Sequence, residues 1–184
     1  MTAAKMNKTS FKVALGGIIT AFALICMLAT GVIPIGTYTF PALAGIMLIA
    51  VVIELGAKWA WAVFAATAVL SLLIAPDREA ALLFLFFFGH YPIVKSYLER
   101  LNRKPIEWLL KFIIFNACIL ICYGLIFYVF QMQYVIDSFQ ELGRYSLIIF
   151  LAIGNIAFFI YDIALTNLIT FYIKWVRVKI LKRL

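Results

Sequence analysis

Forty-one consecutive residues, from Val13 to Ile53, carry no charged side chain. A membrane-spanning helix takes about 20 apolar residues, so a run of this length holds two spans. The polar stretch IGTYTF, flanked by Pro34 and Pro41, divides it. Helix 1 is expected over 11–32 and helix 2 over 41–56. Pro41 would then open helix 2, where the missing N–H costs nothing.

Composition extends this reading to the whole chain. The protein has 184 residues, 66% apolar, 16% aromatic and 13% charged. Soluble domains carry about 25% charge and 45–50% apolar residues. One core of this size cannot hide the surplus, which excludes a water-soluble fold and intrinsic disorder alike. At about 30 residues per span and loop, the length allows about six helices.

The remaining spans follow from charges, prolines and glycines. Helix 3 is expected over 58–75, ended by Pro76 and joined to helix 2 by the tight Gly56-Ala57 link. The acids of the Asp77-Arg78-Glu79 turn start helix 4, over 79–101, where the helix dipole favours them. Pro92 within it should kink it. After the basic turn Asn102-Arg103-Lys104-Pro105, helix 5 covers 106–130. A polar loop, Gln131 to Arg144, leads to helix 6 over 145–174, and WVRVKILKRL continues as a basic helical tail. The N-terminus lacks an A-x-A-type cleavage site and reads as a retained first span. The chain reads as one all-α, polytopic membrane domain over residues 1–184, without repeats or a soluble domain.

Charge distribution orients this six-span reading. With the N-terminus inside, the cytoplasmic segments hold Lys5, Lys8, Lys12, Lys58, Lys95, Arg100, Arg103, Lys104 and Lys111, and the tail adds Lys174, Arg177, Lys179, Lys182 and Arg183. Only Arg78 and Arg144 fall outside. Such asymmetry is what the positive-inside rule requires, and five or seven spans would spoil it. Both termini are therefore expected in the cytoplasm. The net charge of +8 then reflects membrane topology and implies no nucleic acid.

Signals for chemistry are sparse. Cys26, Cys118 and Cys122 lie inside apolar runs with neither a disulfide framework nor a metal spacing. There is one histidine, no H-E-x-x-H, no G-x-S-x-G and no Gly-Lys-Ser phosphate loop. No catalytic residue, metal or cofactor is expected, and the chain is not expected to be an enzyme.

Polar residues inside the spans are the informative ones, because each is costly in lipid unless partnered. His90, Asn116 and Asp162 fall at matching depth on helices 4, 5 and 6, with Lys95 and Lys111 just below. At least two of the three are expected in mutual contact. Asp162 should bond His90 or Asn116, or reach Lys95 or Lys111. Asn155, Phe159 and Asp162 share one face of helix 6. Such a layer serves either as interhelical glue or in proton relay and coupling.

A second cluster lies at the outer ends. Tyr38 and Phe40 fall in the first loop, Arg78 at the exit of helix 3, Tyr123, Phe127 and Gln131 on one face of helix 5, and Arg144 before helix 6. They form either an interfacial aromatic belt or an aromatic pocket with a few orienting polar groups. Such a pocket favours a flat or amphipathic ligand over a bare anion or metal ion. Finally, Ala14, Gly17 and Ala21 form a small-residue stripe on helix 1 that allows close helix approach, within the bundle or from a separate protein.

This combination resembles the substrate-binding S components of energy-coupling factor transporters. FKVALGGIITAFALICML, a short proline-containing loop and PALAGIMLIAVVIELG are similar to the first third of that family. Its A-x-x-x-A docking motif on helix 1 is matched by Gly17 and Ala21, with glycine replacing the first alanine. The resemblance implies a vitamin- or micronutrient-binding subunit of the bacterial plasma membrane that catalyses nothing itself. Its first loop would act as a lid. A transmembrane coupling subunit and two cytoplasmic ATPases would supply the energy. Two other readings share the same topology: a non-transporting scaffold of the rod-shape machinery, and a small proton- or drug-exchanging carrier that uses the His90–Asp162 layer.

Overall fold

The computed structural model describes residues 3–32, 36–101, 103–141 and 143–176, with the side chains of residues 3–8, 141, 144 and 176 outside that description. The basic helical tail expected beyond Val176, like Pro34 in the first connection, therefore lies outside the described residues.

Among them every regular element is a helix. These are α1 (Ala3–Ala29), α2 (Gly36–Leu55), α3 (Ala57–Ile74), α4 (Arg78–Leu83), α5 (Tyr91–Leu98), α6 (Lys104–Leu125), α7 (Gln133–Glu141) and α8 (Ser146–Phe171). Turns of π-helix cover Phe84–Phe88, Ile126–Phe130 and Tyr172–Val176. Six stretches are long and apolar enough to cross a bilayer: Thr9–Ala29, Gly36–Leu55, Ala57–Ile74, Arg78–Leu101, Lys104–Phe130 and Ser146–Trp175. The chain is a multi-pass, all-α membrane protein. It divides into two compact units, Met1–Trp108 and Leu109–Leu184.

In the first unit, α1, α2 and α3 pack on one another through small residues. Ala23, Ala44, Ala60, Ala68, Ala80 and Ala81 are buried, with Leu48, Val51, Met27 and Phe84 among them. Lipid tails are as apolar as leucine, so close packing of small side chains, rather than escape from water, holds such helices together. Gly16 is buried, and a Cβ there would lie 3.1 Å from Val63. The hydroxyls of Thr30 and Thr67 bond back to Met27 O and Val63 O, both at 2.8 Å, and need no outside partner. Gly56 alone links α2 to α3, at φ 84° and ψ 167°, a left-handed conformation that favours glycine. On this side Lys12 Nζ sits 5.8 Å from the Trp59 ring centroid, which sets the start of the first span beside the α2–α3 turn.

Two prolines depart from the expected arrangement. Helix 2 begins at Gly36, so Pro41 lies inside α2 rather than at its first position. The first connection is correspondingly shorter, and Tyr38 and Phe40 stand on the first turns of α2 instead of in a loop. One missing N–H near a helix start leaves a single carbonyl to be satisfied elsewhere. Pro92, expected to kink a continuous helix 4, instead opens α5 near its N-terminus. The chain adapts upstream of it. Gly89 N–H donates to Phe84 O at 2.8 Å, five residues back, and the helix resets at Gly89-His90. A π-turn of this kind absorbs one extra residue without breaking the span. A Cβ on Gly89 would lie 2.7 Å from the Phe64 ring.

In the second unit, Gln131 ends the fifth span in a left-handed conformation, φ 46° and ψ 48°. The segment expected as a polar loop from Gln131 to Arg144 contains a further helix, α7, which is amphipathic. Val135 is buried and Phe139 half-buried, while Gln133, Asp137 and Ser138 are exposed.

Candidate functional site

The residues singled out from the sequence fall into five groups, three in the first unit and two in the second.

At the end of the first unit where α2 begins and α3 ends, hydroxyls of α2 meet the acids that open α4. Thr37 Oγ1 donates to Asp77 Oδ2 at 2.7 Å, and Tyr38 Oη donates to Glu79 Oε1 at 3.1 Å. Asp77 also caps α4, accepting from Ala80 N at 3.2 Å. Glu79 is buried whereas the Tyr38 ring is half exposed. Arg78 is exposed and its guanidinium donates back to Leu72 O at the end of α3. The arrangement clasps the start of the second span to the start of the fourth. Of the residues expected to bind a ligand, Tyr38 and Arg78 lie at this clasp, and Phe40 sits half-buried nearby on α2.

His90 belongs to an aromatic cluster in the same unit. Its ring stacks on Trp61 (centroids 6.3 Å apart, planes at 13°) and meets Phe64 edge-on at 5.8 Å. Its Nδ1 lies 3.3 Å from Leu85 O, within the π-turn. Trp61 and Phe64 were not anticipated as its neighbours. Lys95, fully buried, pairs with Glu99 one turn on at 2.8 Å.

The second unit carries polar contacts between its spans. Lys111 Nζ donates to Asp162 Oδ2 at 3.0 Å, and both side chains are 2% exposed. Lys111 is one of the partners expected for Asp162. Asn116 instead pairs reciprocally with Asn155. Asn116 Nδ2 donates to Asn155 Oδ1 at 2.9 Å and Asn155 Nδ2 returns a bond to Asn116 Oδ1 at 3.0 Å. Each amide spends its other N–H on its own helix, at Phe112 O (2.8 Å) and Leu151 O (2.7 Å). Half-buried amides satisfied in this way cost little and tie the two helices together.

These contacts share one antiparallel register. Four residues on from Lys111 and four back from Asp162, Phe115 stacks on Phe158 with centroids 4.6 Å apart. Eight further along, Tyr123 meets Phe150, again at 4.6 Å. Phe158, not Phe159, is therefore the aromatic buried with Asn155 and Asp162, and Phe159 is exposed. Both positions flank the polar face, and the register between helices chooses one.

At the far end of the same seam, Tyr123 and Phe127 are covered by rings from neighbouring segments. Phe139 of α7 lies 5.7 Å from Tyr123, 5.0 Å from Phe127 and 5.0 Å from Phe150. The apolar spacing of Tyr134, Val135 and Phe139 within QYVIDSFQE is the signal that marks α7, obscured by its polar composition. Gln131 is exposed at the end of this segment. Arg144 lies on the turn before α8, its side chain outside the described residues.

On α1, Ala14, Gly17 and Ala21 are all exposed, whereas the adjacent Gly16 and Ala23 are buried. A Cβ on Gly17 would meet nothing within 4 Å. The stripe thus faces away from the helices that α1 packs against. No protein-family model, curated protein or solved structure matches the chain.

Proposed function

We propose that this protein is the substrate-binding membrane subunit of an energy-coupling-factor-type importer in a bacterial plasma membrane, with both termini in the cytoplasm. In this reading it captures a vitamin-like organic micronutrient at the extracellular side. It catalyses nothing and carries no cofactor. A transmembrane coupling subunit and cytoplasmic ATPases supply the energy.

The observation that carries the reading is the outward face of α1. A small-residue stripe that served only intramolecular packing would be buried with Gly16 and Ala23. Ala14, Gly17 and Ala21 are instead exposed, leaving a shallow strip where a partner backbone could approach closely. The clasp of Tyr38 and Glu79 supports a ligand-side role for the start of α2, since it ties the first turn of α2 to α4. The Tyr123, Phe127 and Phe139 rings offer flat apolar faces suited to an aromatic or amphipathic ligand.

Mass spectrometry of the purified protein tests the ligand half: a stoichiometric small organic molecule is expected. The partner half is tested with Gly17→Leu plus Ala21→Leu, which should abolish co-purification of a coupling subunit while ligand binding persists. Survival of that complex would overturn the docking role. One observation favours the scaffold reading, namely that Phe139 covers the rings of Tyr123 and Phe127. Repeated purification without any bound molecule would favour it further.

A further inference from the structure

We propose that α8 carries a self-association surface through which copies of this chain pair in the membrane. Ile153, Ile156, Ile160, Ile163, Asn167 and Thr170 recur at alternating steps of three and four residues. All six are exposed, the four isoleucines at 63%, 64%, 62% and 41%. Any helix face has such spacing, and a purely lipid-facing one would suffice with apolar residues alone. Asn167 is what sets this face apart. Its carboxamide has no hydrogen-bond partner among the described residues. The neighbouring hydroxyls behave differently: Thr166 donates to Asp162 O at 3.0 Å and Thr170 to Thr166 O at 2.9 Å, both on their own helix. A bare carboxamide in a span is costly, and interhelical hydrogen bonding is the usual remedy.

A second copy is the occupant that this face fits. All copies insert with the same orientation, so their α8 helices run parallel and like positions meet. A carboxamide holds donor and acceptor in one group and therefore complements itself. Stacked β-branched isoleucines with one asparagine form the pattern that fixes register in parallel helix assemblies. Lys174, one step beyond Thr170, would also meet its own kind, but it stands at the helix end, where its flexible stem can turn into water.

The area is consistent with a reversible contact. From Ile153 to Thr170 the face runs about 26 Å, and at about 10 Å of helix width it covers about 260 Å² per copy. Two such faces bury about 520 Å², below the about 1,200 Å² of a standard stable interface. Apolar packing alone would not hold the pair, so association should depend visibly on Asn167.

The test uses the full chain, fluorescently fused at its C-terminus and reconstituted in liposomes over a range of protein-to-lipid ratios. Step-counting by single-molecule photobleaching gives the copy number. Multiple steps are expected at high ratios. Asn167→Leu should weaken association about tenfold, the scale of one interhelical side-chain hydrogen bond, and Asn167→Gln should restore most of it. Ile160→Trp should disrupt the assembly by bulk. Circular dichroism checks that each variant keeps its helices. Single-step bleaching of the wild type at every ratio would overturn the proposal, including the case where a different protein's helix takes the face. So would association indifferent to both Asn167→Leu and Ile160→Trp.

Discussion

The Lys111–Asp162 pair makes the sharpest energetic demand on the structure. Its two charges are 3.0 Å apart and 2% exposed, inside two membrane spans. Removing one partner of a buried pair leaves an uncompensated charge and costs about 3–5 kcal/mol. The cost of a lone charge at the centre of a membrane helix, about 2.5–3.5 kcal/mol on the translocon-insertion scale, points to a similar size. Lys111→Met and Asp162→Leu should therefore each destabilise by about 3–5 kcal/mol. The double variant removes both charges and keeps comparable volume, an exchange that is often neutral in buried pairs. It should lie within about 1 kcal/mol of the wild type, far from the sum of the singles.

Equilibrium unfolding in mixed micelles, followed by circular dichroism, measures all four proteins. A double variant as damaged as the sum of the singles would refute the reasoning, because independent losses mean that the charges do not compensate each other. The same double variant separates glue from mechanism. If the pair only holds α6 to α8, the variant folds and retains the ligand uptake proposed above. A stable variant that binds ligand but fails to transport would assign the pair a part in coupling.

Gly89→Ala should destabilise the first unit by about 1–3 kcal/mol, since the new Cβ would lie 2.7 Å from Phe64; a thermal midpoint at or above that of the wild type would contradict the close approach. Reporter fusions following Leu184 should be active only with a cytoplasmic reporter, given that 14 of the 16 basic residues fall on that side in the six-span reading. Activity of an external reporter there would reverse or break the topology.

The six spans were legible because their signal is coarse. Apolar runs bounded by charges and prolines locate helices to within a few residues, and the observed spans match that expectation. The signal fails where one residue sets local geometry. Pro41 reads as a helix start because proline prefers the first turn, yet α2 begins five residues earlier. Pro92 reads as a kink, but the chain shifts its hydrogen bonding at Phe84–Phe88 and starts α5 afresh. α7 escaped because a nine-residue amphipathic segment among polar residues resembles a loop in composition.

Side-chain partners in the spans are harder to read, for a geometric reason. Depth counted along a helix is good to about one turn, or 5.4 Å. Lys111 and Asn116 are five residues apart, about 7.5 Å along the axis, so small errors in the span limits exchange them as neighbours of Asp162. The aromatic pairs resolve what the polar residues alone cannot. Once Phe115 faces Phe158 and Tyr123 faces Phe150, the antiparallel register carries Lys111 to Asp162 and leaves Asn116 beside Asn155. The polar residues of α6 and α8 thus form two separate rungs between the same two helices, Lys111 with Asp162 and Asn116 with Asn155.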